Sequence, residues 1–89
     1  MRKFYELFGL LKNHNNKYRL KIGWNTITDW SMELSIGDTE DKETIFYIQA
    51  IEENYLYSYG YCKLADYLSD KYGGYWCYII KNAKKKKFL

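Results

Sequence analysis

Apolar side chains near the start of the chain recur at helical spacing. The stretch "KFYELFGLLK" at 3–12 carries its apolar stripe on Phe4, Leu7, Phe8 and Leu11. A stripe of this kind is typical of a helix that packs one face on a core. The asparagines of "NHNN" at 13–16 predict the end of this helix, because asparagine tolerates turn and left-handed conformations.

The pattern then changes to strict alternation. Residues 17–24, "KYRLKIGW", and residues 27–36, "ITDWSMELSI", place apolar side chains at every second position. Such alternation predicts strands with one face buried and the other in water, and the intervening "GWNT" suits a hairpin turn. After the polar turn "GDTEDKE" at 37–43, residues 44–51, "TIFYIQAI", predict a third strand. Three adjacent strands with short connections predict an antiparallel meander.

Helical spacing returns after the third strand and predicts a second helix. Asn54 is suited to cap its start, and Gly73 stands where a helix commonly ends in the left-handed conformation. Tyr55, Tyr59 and Cys62 fall outside the apolar face and are predicted to be exposed. The face predicted to cover the sheet consists of Tyr57, Tyr61, Leu64, Ala65, Leu68 and Tyr72.

These elements predict an α+β fold in the order α-β-β-β-α. The predicted fold has an antiparallel sheet with two helices on one face. The sheet has three or four strands, since residues 75–80, "YWCYII", predict either a short fourth strand or an extended return segment. The length suits one domain over 1–89, in which 84–89, "KKKKFL", form a frayed, solvated end. The side chains predicted to be buried are Trp24, Trp30, Met32, Leu34, Leu64 and Leu68.

Charge is strongly segregated along the chain, although the formal net charge is only +3. Residues 1–22 carry six basic side chains against one acid, a net charge of +5. Residues 23–70 carry ten acids against two lysines, a net charge of −8, and residues 71–89 carry six lysines and no acid. Segments of opposite charge favour surfaces that attract different partners.

The acids of the middle segment are the predicted partner-binding residues, and the predicted partner is a protein with a basic surface. Carboxylates spaced along a rigid sheet can imitate a row of phosphates and occupy a nucleic-acid channel. Ordinary solubility is the alternative interpretation of the same charges. The predicted binding residues are Asp38, Glu40, Asp41 and Glu43 in the second turn, Glu52 and Glu53 before the second helix, and Asp29 and Glu33 on the second strand.

The basic face of the first strand predicts a different function, which is binding to nucleic acid. Lys17, Arg19 and Lys21 alternate with apolar residues on that strand, and the lysine-rich tail adds positive charge. The α-β-β-β-α order resembles that of the double-stranded-RNA-binding domain, which implies a small nucleic-acid-binding module. That family begins its second helix with a basic cluster, whereas this chain has the acidic stretch "EENYLYSYG" at 52–60.

The sequence contains no motif for catalysis, metal binding or nucleotide binding. His14 lies in a predicted solvated loop, and Cys62 and Cys77 are too far apart for the usual zinc spacing. No enzymatic activity, cofactor or metal is therefore expected. Two cysteines favour reduced thiols and a cytoplasmic location, and no apolar stretch is long enough to predict a membrane span.

Size, layout and charge together resemble those of phage-encoded inhibitors of bacterial defence, including some anti-CRISPR proteins. The resemblance covers most of the chain, which is small, free of proline, and rich in tyrosine and lysine, with an acidic sheet. It implies a stoichiometric binder that blocks a nucleic-acid site on a bacterial protein.

Overall fold

Two helices and a three-stranded sheet make up the described part of the chain, which comprises residues 1–38, 40–76 and 78 of a computed structural model. The predicted α+β class and element order are confirmed. The elements are α1 (Arg2–His14), β1 (Tyr18–Asn25), β2 (Asp29–Ile36), β3 (Glu43–Ala50), α2 (Glu53–Tyr72) and a short 3₁₀ turn at Gly73–Tyr75.

The sheet is an antiparallel meander in the order β1-β2-β3, so that β1 and β3 are its edges. Leu34 at the centre of β2 pairs with Leu20 on β1 and with Phe46 on β3. The register between β2 and β3 shifts after Leu34, because β3 contains one extra residue at this point. An extra residue of this kind is a β-bulge, which increases the local twist of the sheet.

The turn between β1 and β2 is held by the side chain of Asn25. Its Oδ1 atom accepts hydrogen bonds from the backbone N–H groups of Ile27 and Thr28, at 2.8 and 2.7 Å. Asp29 follows with a φ of 56°, in the left-handed region that aspartate tolerates better than most residues. The turn therefore lies two residues later than the predicted "GWNT".

Both helices pack on one face of the sheet and enclose the core. Gly60 of α2 permits a close approach, because a Cβ atom there would lie 2.5 Å from Sδ of Met32 and 3.3 Å from Cε1 of Phe4. The buried hydrophobic residues are Phe4, Leu7 and Leu11 of α1, Tyr18 of β1, Met32 and Leu34 of β2, and Leu56, Tyr57, Leu64 and Leu68 of α2.

The predicted core is right in its centre and wrong at three positions. Met32, Leu34, Leu64 and Leu68 are buried, whereas Trp30 is only partly buried. Trp24 is 57% exposed, because it is the penultimate residue of an edge strand. Tyr61 is exposed as well, since Leu56 and Gly60 of α2 take the buried positions instead.

The ends of the elements also correct three predictions. His14 is the last residue of α1 and packs edge-to-face on Tyr72, with ring centroids 5.3 Å apart, and is not a solvated loop residue. The N-cap of α2 is Glu52 and not Asn54. The helix ends at Gly73 as predicted, with a positive φ of 73°, but ψ of −168° differs from that of the predicted left-handed conformation. Of the predicted fourth strand at 75–80, residues 75, 76 and 78 are helical, and the others lie outside the described residues.

Candidate functional site

The eight predicted acidic residues do not form one patch, because the sheet separates them. Asp29 begins β2, and the acidic turn at 38–43 follows the end of the same strand. Since β2 has eight residues, the two groups lie about 24 Å apart along it. Glu52 and Glu53 lie at the same end of the sheet as Asp29. They follow Ala50, the last residue of β3, which pairs with Trp30 next to Asp29.

At one end of the sheet, the turn between β2 and β3 presents four exposed carboxylates. These are Asp38, Glu40, Asp41 and Glu43. Next to them, Glu43 and Asp70 line a shallow depression with Lys71 of α2. The turn also lies beside the start of β1, because Arg19 Nε donates a hydrogen bond to the carbonyl oxygen of Gly37 at 3.1 Å.

At the other end, large apolar side chains are exposed beside the remaining acids. Ile27 at the tip of the β1–β2 turn is 90% exposed, and Ile51 after β3 is 80% exposed. Tyr55 on the first turn of α2 is exposed and stacks on Tyr59, with ring centroids 6.3 Å apart. We call this surface the apolar end; it consists of Trp24, Ile27, Ile51 and Tyr55, with Asp29, Glu52 and Glu53 at its rim.

The sheet face opposite the helices carries both charges and is not an acidic surface. Arg19 and Lys21 are exposed on β1, and Lys17 is exposed in the turn that precedes it. Beside them, Glu33 is paired with Lys42 at 3.3 Å and accepts a hydrogen bond from the Thr44 hydroxyl at 3.4 Å. Glu33 therefore neutralises part of this face and is not presented to a partner in the way that the sequence suggested.

Three tyrosines and a lysine meet where α2 ends above the start of β1. The hydroxyl of Tyr18, which is fully buried, lies 2.8 Å from that of Tyr67 and 3.3 Å from that of Tyr72. Lys71 Nζ donates hydrogen bonds to the hydroxyls of Tyr18 and Tyr67, both at 3.2 Å. We call these four residues the tyrosine cluster.

Burial and hydrogen bonding change the acid–base behaviour of the tyrosine cluster. Burial, followed by the hydrogen bonds with Tyr67 and Tyr72, raises the pKa of Tyr18 well above its ordinary value. The hydrogen bond with Tyr67 raises the pKa of Lys71. Sequence reasoning missed this cluster, although the four-residue spacing of Tyr67 and Lys71 on a helix was a usable signal.

A groove of about 540 Å³ lies between α1 and the free edge of β1. Its apolar lining comes from Phe8 of α1 and from Leu20 and Ile22 of β1, while Lys12 and Arg19 lie at its rim. We call it the α1–β1 groove. The sequence indicated no groove here, because its existence depends on where α1 sits relative to the edge strand.

Within residues 1–38, 40–76 and 78, no three metal-binding side chains of the His, Cys, Asp or Glu type come together. No helix in the same part of the chain has the length and apolar character needed to cross a membrane. The thiol of Cys62 is exposed on α2, as predicted, whereas Cys77 lies outside the described residues.

No protein family matches this sequence, and neither does any curated protein or solved structure.

Proposed function

We propose that this chain is a non-catalytic protein that binds another protein and blocks a basic, nucleic-acid-binding surface on it. The observation that carries the proposal is the apolar end, where Trp24, Ile27 and Ile51 are exposed beside carboxylates. Large apolar and aromatic side chains grouped on a surface and rimmed by polar residues are characteristic of protein interfaces. Tryptophan and tyrosine are also the residues that most often dominate binding energy.

Charge supports a basic partner. Asp29, Glu52 and Glu53 rim the apolar end, and four further exposed carboxylates occupy the opposite end of the sheet. Rim charges mostly increase the rate of association with a partner of opposite charge, whereas buried apolar contacts slow dissociation. The two ends therefore have different roles: the apolar end supplies affinity, and the acidic turn steers the approach.

The resemblance to phage-encoded inhibitors of bacterial defence indicates the kind of partner and the compartment. In that setting the partner is a bacterial protein that binds nucleic acid, and the chain acts in the cytoplasm. The exposed thiol of Cys62 is compatible with a reducing compartment.

The proposal is tested by affinity capture from a bacterial lysate with quantitative mass spectrometry, using the parent chain and two variants as bait. The first variant is Ile27→Ser with Ile51→Ser, which keeps the fold because both side chains are exposed. It is expected to raise the dissociation constant for the basic partner at least about tenfold, or about 1.4 kcal/mol, and so to reduce the amount captured. The second replaces Asp38, Glu40, Asp41 and Glu43 by the corresponding amides and is expected to slow association and flatten its salt dependence.

Net charge is controlled with a matched variant, Glu6→Lys with Asp66→Lys, which raises the net charge by the same four units at two exposed helix positions outside both ends of the sheet. This variant has the same net charge as the turn variant but retains the acidic turn, so it separates local steering from overall charge. Deletion of residues 84–89 is expected to change binding little. The proposal is wrong if the serine variant captures the same partner as well as the parent does, or if only the tail deletion abolishes binding.

Nucleic-acid binding is the second candidate function. It is favoured by the exposure of Arg19 and Lys21 on the sheet face opposite α1 and α2, and of Lys17 in the turn before β1. A gel shift with single- and double-stranded DNA and RNA near 150 mM salt separates the two candidates. Tight binding under these conditions would refute the inhibitor proposal, because non-specific contacts to phosphate weaken steeply as salt is added.

A further inference from the structure

Among the described residues, no strand pairs with one side of β1, and hydrogen bonds show which backbone groups point to that side. The carbonyl oxygen of Lys17 accepts a hydrogen bond from the N–H group of Gly37, so the backbone C=O of Lys17 points towards the β2 side. The carbonyl oxygen of Tyr18 accepts a hydrogen bond from Lys12 Nζ at 2.7 Å, so the backbone C=O of Tyr18 points away from β2. Because backbone groups alternate in direction along a strand, Leu20, Ile22 and Trp24 direct their N–H and C=O groups to the free edge.

The described residues leave this edge unpaired between Leu20 and Trp24. β1 pairs only with β2 among residues 1–38, 40–76 and 78. An unpaired edge is a template on which another extended chain can add a strand. Such a strand would place every second side chain on the helix side of the sheet, where the α1–β1 groove lies, and the others on the opposite face.

The groove is suited to the side chains of an added strand. Phe8, Leu20 and Ile22 are partly buried and line it together, so apolar side chains of an incoming segment would find apolar partners there. A helix lying beside an edge strand forms the kind of groove in which extended peptides bind, with the backbone giving affinity and alternate side-chain pockets giving specificity.

The opposite face of the same strand is positively charged. Arg19 and Lys21 alternate with Leu20 and Ile22, so their side chains leave the strand on the sheet face opposite α1 and α2, and Arg19 also reaches the rim of the groove. Side chains directly across from them on an added strand would be about 4.5–5.5 Å away, where opposite charges stabilise and like charges destabilise. The complement of β1 is therefore a segment in which acidic and apolar residues alternate.

A peptide fits this surface better than a nucleic acid does. Free N–H and C=O groups match the donors and acceptors of a peptide backbone, whereas the phosphate oxygens of a nucleic acid could accept only from the N–H groups. The cross-strand neighbour of Lys21 is Glu33, whose negative charge opposes phosphate. A second copy of β1 is also disfavoured as the occupant, because pairing it with itself would bring its own basic side chains together.

We propose that the free edge of β1 and the α1–β1 groove bind an extended segment of another protein in which acidic and apolar residues alternate. This surface meets the apolar end at Trp24 but takes a partner of the opposite charge. Binding adds a fourth strand to the sheet beside β1, with apolar side chains in the groove and acidic side chains beside Arg19 and Lys21.

The experiment uses the full chain and a nine-residue peptide in which glutamate alternates with valine. Amide hydrogen exchange of β1 is followed by nuclear magnetic resonance with and without the peptide. In the free protein the amides of Leu20 and Ile22 are expected to exchange quickly, and those of Arg19 and Lys21 slowly. The peptide is expected to slow exchange at Leu20 and Ile22 at least about tenfold and to leave Arg19 and Lys21 little changed, because only the former gain partners.

Affinity is measured by fluorescence anisotropy with matched variants and peptides. Arg19→Gln with Lys21→Gln is expected to weaken peptide binding at least about tenfold, whereas Lys3→Gln with Lys63→Gln, which removes the same charge elsewhere, is expected to change it less than about twofold. A peptide of the same composition in shuffled order, which breaks the alternation, is expected to bind at least about tenfold more weakly.

Three results would overturn the proposal. The first is equal binding of the alternating and shuffled peptides, which would indicate charge attraction alone. The second is slow amide exchange at Leu20 and Ile22 in the free protein, which would mean that the edge is already occupied. Exchange that slows with protein concentration would indicate a second copy of the chain as the occupant. Slow exchange that is independent of concentration would indicate residues 79–89 of the same chain. The third is tighter binding of single-stranded RNA than of peptide without any change at these amides.

Discussion

At the scale of single residues, the two helix glycines give opposite predictions. Gly60→Ala is expected to lower stability by about 1 kcal/mol, because the new Cβ atom would press on Met32 in a packed core. Gly9→Ala in α1 is the matched control: apart from Gly9, its chain neighbours and the nearby backbone of α1, no described atom lies within 4 Å of its Cβ position, so it is expected to raise stability by about 0.5–1 kcal/mol. Urea unfolding of both variants checks this. Stabilisation by Gly60→Ala would show that the contact with Met32 relaxes without cost.

The same scale shows what the sequence can predict about burial. Met32 and Leu34 were predictable because they lie mid-strand, where alternation alone decides the face. Trp24 shares that face but is exposed, since alternation does not tell how far the covering helices extend. Tyr61 was misassigned because a 20-residue helix with tyrosines on several sides has no single apolar stripe. Gly60 was missed because a glycine in a helix gives no sign of the close approach it permits.

At the scale of elements, the tyrosine cluster joins α2 to β1 and makes this junction sensitive to pH. The folded state holds the pKa of Tyr18 above its ordinary value of 10.0. Above that pH the unfolded chain therefore releases a proton that the folded chain keeps. The contribution of Tyr18 to the free energy of unfolding is consequently full below about pH 10 and is lost as the pH rises further. Tyr18→Phe is expected to flatten the decline in stability between pH 9 and 11, measured by urea unfolding.

The control for this prediction is Tyr75→Phe, because Tyr75 is exposed and makes no hydrogen bond among the described residues. It is expected to follow the pH dependence of the parent chain. The slope is not expected to vanish in Tyr18→Phe, since burial also raises the pKa of Tyr57, whose hydroxyl lies 2.8 Å from that of Tyr5. Identical profiles for both variants would show that the cluster does not link folding to pH.

Element boundaries were predicted well, whereas the surfaces between elements were not. The strands begin and end within two residues of the predicted positions, because each is bounded by polar turns. The α1–β1 groove and the tyrosine cluster depend on how helices are placed over the sheet. That placement arises from long-range packing, which a local pattern does not contain.

At the scale of the whole molecule, folding rearranges the charge that the sequence segregates. The acidic middle segment is divided between two ends of the sheet, and the acidic turn comes to lie beside basic β1, as the hydrogen bond from Arg19 to Gly37 shows. The sequence predicted which residues are charged but not that opposite segments become neighbours. The register of an antiparallel hairpin decides this, because the start of β1 is paired with the end of β2.

This proximity makes a further prediction about the β1 edge. The carboxylates of the acidic turn repel an acidic peptide that approaches Arg19, so converting Asp38, Glu40, Asp41 and Glu43 to amides is expected to strengthen binding of the alternating peptide. The expected gain is about threefold at 10 mM salt, where charges act over about 30 Å, and it should disappear at 1 M salt, where they act over about 3 Å. The matched variant Glu6→Lys with Asp66→Lys is expected to gain less, because Glu6 lies on α1 and Asp66 on α2, outside the turn. Equal gains in the two variants would show that net charge, and not the position of the turn beside β1, controls access to the edge.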